Sequence, residues 1–172
     1  MRIKSYPVVM LIFLLSLGSC RKIVQLSNIP FIKFNSFSIG DTLDILGNHS
    51  KAGKLNFYFE DGDGDLGLDV PSGDQTDSTN LFFTLYRKVN GSMVAASHGD
   101  PLYPSAFRIP YMERLGQNKI LKGIISVTFL YNFYSPDDTI KYDFYLEDRA
   151  LNKSNVASTG EIVISVNNIY TK

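Results

Sequence analysis

The feature that most constrains the fold is a two-residue alternation of apolar and polar side chains. It is cleanest over residues 140–146, where Ile, Tyr, Phe and Leu alternate with Lys, Asp and Tyr. Residues 55–59 alternate in the same way, and residues 162–166 repeat the pattern near the C-terminus. Because successive side chains of a strand point to opposite faces of a sheet, this period predicts strands with one buried face.

Turn residues separate several more candidate strands. Asn90-Gly91 predicts a hairpin, since both residues tolerate a positive φ. Pro110 marks its segment as an edge strand, because proline cannot donate to a ladder. A bend is expected within the longest run, and the longest loops are predicted at residues 61–79 and 97–106. The further candidate strands are residues 31–37, 81–89, 93–96, 107–112 and 124–134.

These patterns favour an all-β fold, with seven or eight short antiparallel strands in a two-sheet sandwich. A barrel is the alternative. No segment shows a convincing helical period with caps. Residues 30–172 have the length of one domain. The chain's 12 Phe and 10 Tyr, with 44% hydrophobic residues overall, are ample for a core.

The first 19 residues have the pattern of a secretory signal. Arg2 and Lys4 precede an apolar run of about ten residues, which is too short for the roughly 20 residues that span a bilayer. The run ends in Leu17-Gly18-Ser19-Cys20, which resembles the lipobox of bacterial lipoproteins. The resemblance implies cleavage before Cys20, a covalent lipid on this cysteine, and a tether over residues 20–29.

Cys20 is the only cysteine of the chain, so it cannot form an internal disulfide. Lipidation would explain an odd thiol in an exported protein; an ordinary signal peptide that leaves a free thiol is the alternative. Arg21 follows, whereas Asp at this place retains lipoproteins of enteric bacteria in the inner membrane. We therefore expect a cell-envelope protein anchored in the outer membrane, on either face.

Charge excludes a nucleic-acid partner. Two of the 17 basic residues lie in the signal segment, which leaves 15 against 17 acidic residues. The mature chain then carries a net charge of about −2, whereas nucleic-acid binding calls for a basic face.

An acidic, glycine-rich loop is the candidate site. Asp61, Asp63, Asp65 and Asp69 occupy places 1, 3, 5 and 9 of the calcium-loop template. The glycine of place 6 comes one residue late, at Gly67, and place 12 lacks a glutamate. These departures exclude an EF-hand but leave a strand-loop calcium site, for which the carboxylates supply hard oxygen ligands. A solvated Asp/Gly turn is the alternative.

A second polar cluster follows the alternating strand 140–146. Asp148 has the parity of the apolar face, so we expect it where the strand leaves the core. There it can complete the calcium site, if the two strand ends are neighbours. The alternative, which we favour, is an Asx-type turn.

Two segments together, 57–67 (FYFEDGDGDLG) and 148–155 (DRALNKSN), strongly resemble those of small lipoproteins of Bacteroidetes-type bacteria. The resemblance spans residues 30–166 and implies an immunoglobulin-like sandwich in the cell envelope, with no agreed activity. The second segment departs from the related pattern at Leu151, where glycine is usual.

The chain offers little for catalysis. His49 and His98 are the only histidines, and no nucleophile-elbow sequence is present. We therefore expect a non-enzymatic protein. Two functions are left: a structural or interaction module with a protein partner, held rigid by calcium at the acidic loop, or a carbohydrate-binding module. The second would use exposed tyrosines, the candidates being Tyr103, Tyr111, Tyr131 and Tyr134.

Overall fold

The computed structural model describes residues 26–69, 79–104, 106–113 and 119–172. Within these ranges the chain is all-β, with nine strands and no helix. Cys20 and the signal segment lie outside the described residues. The strands are β1 (Phe31–Leu43), β2 (His49–Asp61), β3 (Leu81–Val89), β4 (Ser92–Ala95), β5 (Leu121–Tyr131), β6 (Thr139–Leu146), β7 (Ala157–Ser158), β8 (Ile162–Val163) and β9 (Asn168–Thr171).

The strands form two antiparallel sheets. The first has the order β5-β2-β1-β9, and the second has the order β4-β3-β6-β7, with β8 also paired to β6. The two sheets form a β-sandwich, in which β4 lies at the edge of the second sheet beside β3. The predicted fold class is therefore confirmed, including the hairpin at Asn90-Gly91, where both residues have a positive φ.

The core lies between the inward faces of the two sheets. Phe37 and Phe57 of the first sheet and Tyr142 and Phe144 of the second are fully buried. Phe129 stacks on Tyr142 with ring centroids 5.4 Å apart, which joins the sheets through aromatic contacts. The Tyr142 hydroxyl donates to the Leu102 carbonyl at 2.8 Å, so this buried polar atom is satisfied.

One predicted strand was wrong. Residues 107–112 form only two isolated bridges, Leu81–Phe107 and Leu68–Pro110. Pro110 has no N–H, and the Ile109 N–H is taken by the side-chain oxygen of Asn80 at 2.7 Å. The segment therefore cannot build a continuous ladder.

Strand ends also differ from the prediction. β1 continues to Leu43, and β5 runs from Leu121 to Tyr131 without residues 132–134. Near the C-terminus, only Ile162–Val163 of the predicted run pairs with β6. The last strand, β9, pairs with the middle of β1 and was not predicted, because its short sequence does not alternate cleanly.

The register defines two ends of the sandwich. Phe31 pairs with Glu60 at one end, where the chain enters β1 and leaves β2; we call it the entry end. Leu43 pairs with His49 at the other, which we call the far end. Lys51 pairs with Tyr131, so β5 also finishes at the far end.

Candidate metal centre

The acidic loop, residues 61–69, leaves the first sheet at the entry end. Leu55, Phe57 and Phe59 point into the core, and the same parity carries Asp61 inward as the last residue of β2. The alternation that builds the strand therefore also buries a carboxylate. Asp61 has 0% exposure, although it opens a loop.

Three carboxylates meet at this point. Asp61, Asp63 and Asp65 each offer an oxygen, and these oxygens lie within 4.8 Å of one another. The Asp61 Oδ2 accepts the Leu66 N–H at 2.9 Å. The Asp61 Oδ1 is buried without a hydrogen-bond partner among the described residues. An unpaired buried carboxylate oxygen is costly, so this atom points to a missing positive partner.

The loop is held in shape from several sides. Gly64 and Gly67 have φ of 66° and 95°, which glycine adopts without strain. Leu66 is fully buried and fixes the loop to the core. A Cβ on Gly62 would lie 2.5 Å from the backbone oxygens of Leu26 and Ser27, so only glycine fits beneath the incoming chain.

Burial and mutual repulsion shift the acidity of the cluster. The pKa of Asp61 is raised to about 6, chiefly by burial; the Leu66 N–H opposes the shift, and the neighbouring carboxylates of Asp63 and Asp65 add to it. Burial also raises the pKa of Asp65, with Asp148 the next cause. Such shifts arise where carboxylates gather without enough positive charge.

Asp148 lies beside the cluster but has partners of its own. Its Oδ1 accepts the Asn152 N–H at 2.8 Å, and its Oδ2 accepts the Asn152 side-chain amide at 2.9 Å. This is the Asx-type turn that was the alternative for this residue. The two strand ends are nevertheless neighbours, because the Arg149 N–H donates to the Asp65 carbonyl at 3.4 Å.

Asp69 is not part of the group of three. Its side chain is exposed, and its carbonyl oxygen accepts a hydrogen bond from the Arg108 guanidinium. The structure thus brings together three of the five predicted ligands, places the fourth, Asp148, next to them, and leaves Asp69 outside.

Arg149 also belongs to this region, although it was not among the predicted site residues. Its Nη1 donates to the Gly67 carbonyl at 3.0 Å, and its guanidinium lies over the Tyr111 ring, 5.0 Å from the centroid. Arg149 therefore ties the turn after β6 to the acidic loop. In the sequence, Arg149 is a single cation next to Asp148. Its contact with the acidic loop, some 80 residues earlier, cannot be predicted from spacing alone.

The donor set fits a hard divalent cation. Three carboxylates supply oxygen ligands, and backbone carbonyls and water complete such sites in proteins. No thiol or imidazole belongs to the group, so the chemistry favours calcium or magnesium over softer metals.

The four candidate tyrosines do not form one platform. Tyr131 is buried in the core, with its hydroxyl 3.1 Å from that of Tyr142. Tyr103 is half-buried and donates to the Phe83 carbonyl. Tyr111 is exposed but has Arg149 over its ring, and Tyr134 lies in the connection after β5. A sugar platform needs flat, open rings, and at least two of these four do not provide one.

The chain matches no protein-family model, no curated protein and no solved structure. In the part of the chain that the structure describes, no helix has the length and hydrophobicity to cross a bilayer.

Proposed function

We propose that this protein is a lipid-anchored module of the bacterial cell envelope, which binds partners rather than catalysing a reaction and is stabilised by calcium at the acidic loop. The lipid on Cys20 would hold it at the outer membrane. The sandwich supplies a rigid body, and the loop ties its entry end together when a cation is bound.

One observation supports the calcium part above all others. Asp61 is fully buried, its Oδ1 has no hydrogen-bond partner among the described residues, and two further carboxylates point to the same place. A divalent cation would neutralise all three and satisfy the orphan oxygen.

Thermal unfolding of the mature chain from Cys20, purified in detergent, tests this part. A ligand that binds only the native state at a hundredfold excess over its Kd stabilises it by about 2.7 kcal/mol. For a domain of this size, we expect calcium to raise the Tm by roughly 5–10 °C over the Tm in chelator.

Two matched variants test whether the calcium shift depends on the carboxylate cluster. Asp61→Asn removes a carboxylate from the cluster and should abolish the calcium shift. Asp69→Asn makes the same chemical change eight residues later, outside the cluster, and should leave the shift unchanged. Equal transitions of the wild-type chain in calcium and in chelator would contradict the calcium part.

The anchor is tested separately by mass spectrometry of the protein from its native membrane. The lipobox sequence supports a mature chain that begins at Cys20 and carries a thioether-linked lipid. A free thiol, or a retained signal segment, would contradict the anchor and leave the calcium test unaffected.

A further inference from the structure

The far end of the sandwich exposes a cluster of large apolar side chains. Ile45 is 99% exposed, Leu46 is 81% exposed and Phe133 is 77% exposed. Single exposed apolar residues are ordinary, but a group at one end of a domain marks an interaction site. We call this group the tip surface; its members are Leu43, Ile45, Leu46, Phe133, Tyr134 and Val166.

Three connections bring these residues together. The Ser50 hydroxyl donates to the Tyr131 carbonyl at 2.8 Å, which places the β5–β6 connection beside the start of β2. On the other side, the Asn167 amide donates to the Asp41 carboxylate at 2.5 Å, which holds the segment before β9 against β1. The β1–β2 loop lies between the other two.

The β1–β2 loop is rigid although its apex is apolar. The Asp44 carboxylate accepts the N–H groups of Leu46 and Asn48 at 2.8 and 2.9 Å. Gly47 has a φ of 83° and donates to the Asp44 carbonyl at 3.0 Å. These bonds hold Ile45 and Leu46 in the solvent. A preorganised loop loses little entropy when it binds.

The β5–β6 connection is equally well fixed. The Asp138 carboxylate accepts the Ser135 N–H at 2.6 Å and pairs with the Arg87 guanidinium. The Ser165 hydroxyl donates to the Pro136 carbonyl at 2.7 Å and links this connection to the next one. The hydrogen bonds of this connection therefore hold the backbone that carries the exposed Phe133 side chain.

The tip surface has an acidic rim. Asp137 is exposed and Asp44 is half-buried, and neither has an ion-pair partner among the described residues. Two cations near this end are already paired: Lys51 is buried against Asp41 at 2.7 Å, and Arg87 pairs with Asp100 and Asp138. Hydrogen bonds from Asn48 lower the pKa of Asp44, so its charge persists at neutral pH. The rim repels an anionic lipid surface and a second identical tip.

Geometry separates the tip from the chain's own anchor. β1 spans 13 residues, so the far end lies about 40 Å from the entry end. The seven residues from Cys20 to Leu26 are joined by six peptide bonds and span at most roughly 20 Å. Under the proposed lipid anchor, the tip therefore points away from the membrane that holds the protein.

We propose that the tip surface docks another protein, whose binding patch has an apolar centre and basic side chains around it. Ile45, Leu46 and Phe133 would enter the apolar centre, and the carboxylates of Asp44 and Asp137 would meet the basic rim. Apolar contact supplies affinity, and charge complementarity selects the partner. The acidic loop plays no part, so this proposal is independent of calcium.

Two synthetic peptides serve as the probe. Both carry the same Leu- and Phe-rich centre; Lys flanks it in one and Glu in the other. Fluorescence anisotropy with the mature chain should show at least tenfold tighter binding of the Lys peptide. Ile45→Ser with Phe133→Ser should weaken this binding at least tenfold. Asp137→Asn should weaken it less and reduce its salt dependence.

The matched control is Ile124→Ser with Val156→Ser, which removes two similarly apolar side chains, 54% and 61% exposed, away from the far end. It should bind the Lys peptide like the wild type. Equal binding of both peptides, no binding of either, or equal loss in the control would overturn the proposal. A dimer in sedimentation that the tip variant dissolves, or tip-dependent binding to phosphatidylglycerol vesicles, would assign the surface to another occupant and overturn it too.

Discussion

At the scale of single residues, folding buries the Asp61 carboxylate although burial disfavours its charged form. The alternation of β2 forces its carboxylate inward, and the loop provides one N–H for its two oxygens. A buried carboxylate beside two others is destabilising unless it takes up a proton or a cation. The raised pKa of about 6 reflects the first response, and the proposed calcium binding would be the second.

Asp61→Asn should therefore stabilise the protein in chelator at neutral pH. Below about pH 3.8 the carboxyl is protonated in both states and adds nothing. Between pH 3.8 and 6 the folded state retains a proton that the unfolded state loses, so wild-type stability falls as pH rises. Above pH 6 the penalty is complete, on the order of 1–3 kcal/mol. Urea unfolding from pH 4 to 7.5 measures it.

The Asp69→Asn variant is the control for this pH series, because its side chain is exposed and outside the cluster. It should follow the wild type throughout. A constant difference between Asp61→Asn and wild type across the range would show that Asp61 does not carry the pH dependence.

Leu151 gives a second prediction at this scale. Its φ of 66° lies in the left-handed region, which is strained for a residue with a side chain. The side chain is 75% exposed, so burial contributes little to offset that strain. Leu151→Gly should raise the free energy of unfolding by about 1 kcal/mol, since the strain of a side chain at positive φ exceeds the entropy cost of glycine. Asn90→Gly, at a φ of 50°, should change stability less because asparagine tolerates this region. Denaturant melts compare the two, and equal gains would contradict the argument.

At the scale of elements, β1 has an edge that β9 covers only in part. β9 pairs with Ser36–Ile39, and the residues before them border a groove of about 700 Å³. There the Asn155 side chain replaces a strand, since its Oδ1 accepts the Ile32 N–H and its Nδ2 donates to the Ile32 carbonyl, both at 2.9 Å. A side chain thus closes an edge that would otherwise invite another strand.

Asn155→Ala should remove both bonds and lower the free energy of unfolding by about 1–2 kcal/mol. It should also speed aggregation, because the freed edge can pair with another chain. Asn168→Ala, an exposed asparagine on β9, should change stability by less than about 0.5 kcal/mol. Urea melts and light scattering provide the measurements; indistinguishable variants would refute the edge role.

Sequence pattern predicted the strands where alternation was strong, as at residues 55–59 and 140–146. It failed at residues 107–112, where the Ile109 N–H donates to the side chain of Asn80, a residue distant in the sequence. It also missed β9, whose pairing with β1 depends on tertiary contacts. The carboxylates of Asp61, Asp63 and Asp65 were predictable because they share one short loop. The positions of Arg149 and Asn155 depend on how separate strands meet, which local sequence does not encode.

At the scale of the whole molecule, the sandwich presents two different ends. The entry end carries the acidic loop and the start of the described chain, and the far end carries the tip surface. Under the proposed anchor this polarity gives the protein one orientation, with the acidic loop toward the lipid and the tip surface away from it.

Energy transfer to an acceptor lipid tests this orientation in reconstituted vesicles. A donor on Val156→Cys, at the entry end, should transfer more efficiently than a donor on Ile45→Cys, because about 40 Å of β1 separates the ends. Under the proposed anchor, the lipid blocks the Cys20 sulfur, so the dye labels only the introduced cysteine. Equal transfer from both positions would contradict a fixed orientation.

The pairing of β9 with β1 has a consequence for how the protein is made. β1 is synthesised well before β9, the strand that covers its central edge, because more than 120 residues separate the two in the chain. The first sheet therefore cannot be completed until β9 has been made, and until then this edge of β1 has no partner strand. A deletion of β9 would thus act on the assembly of the first strand, although the two are far apart in sequence.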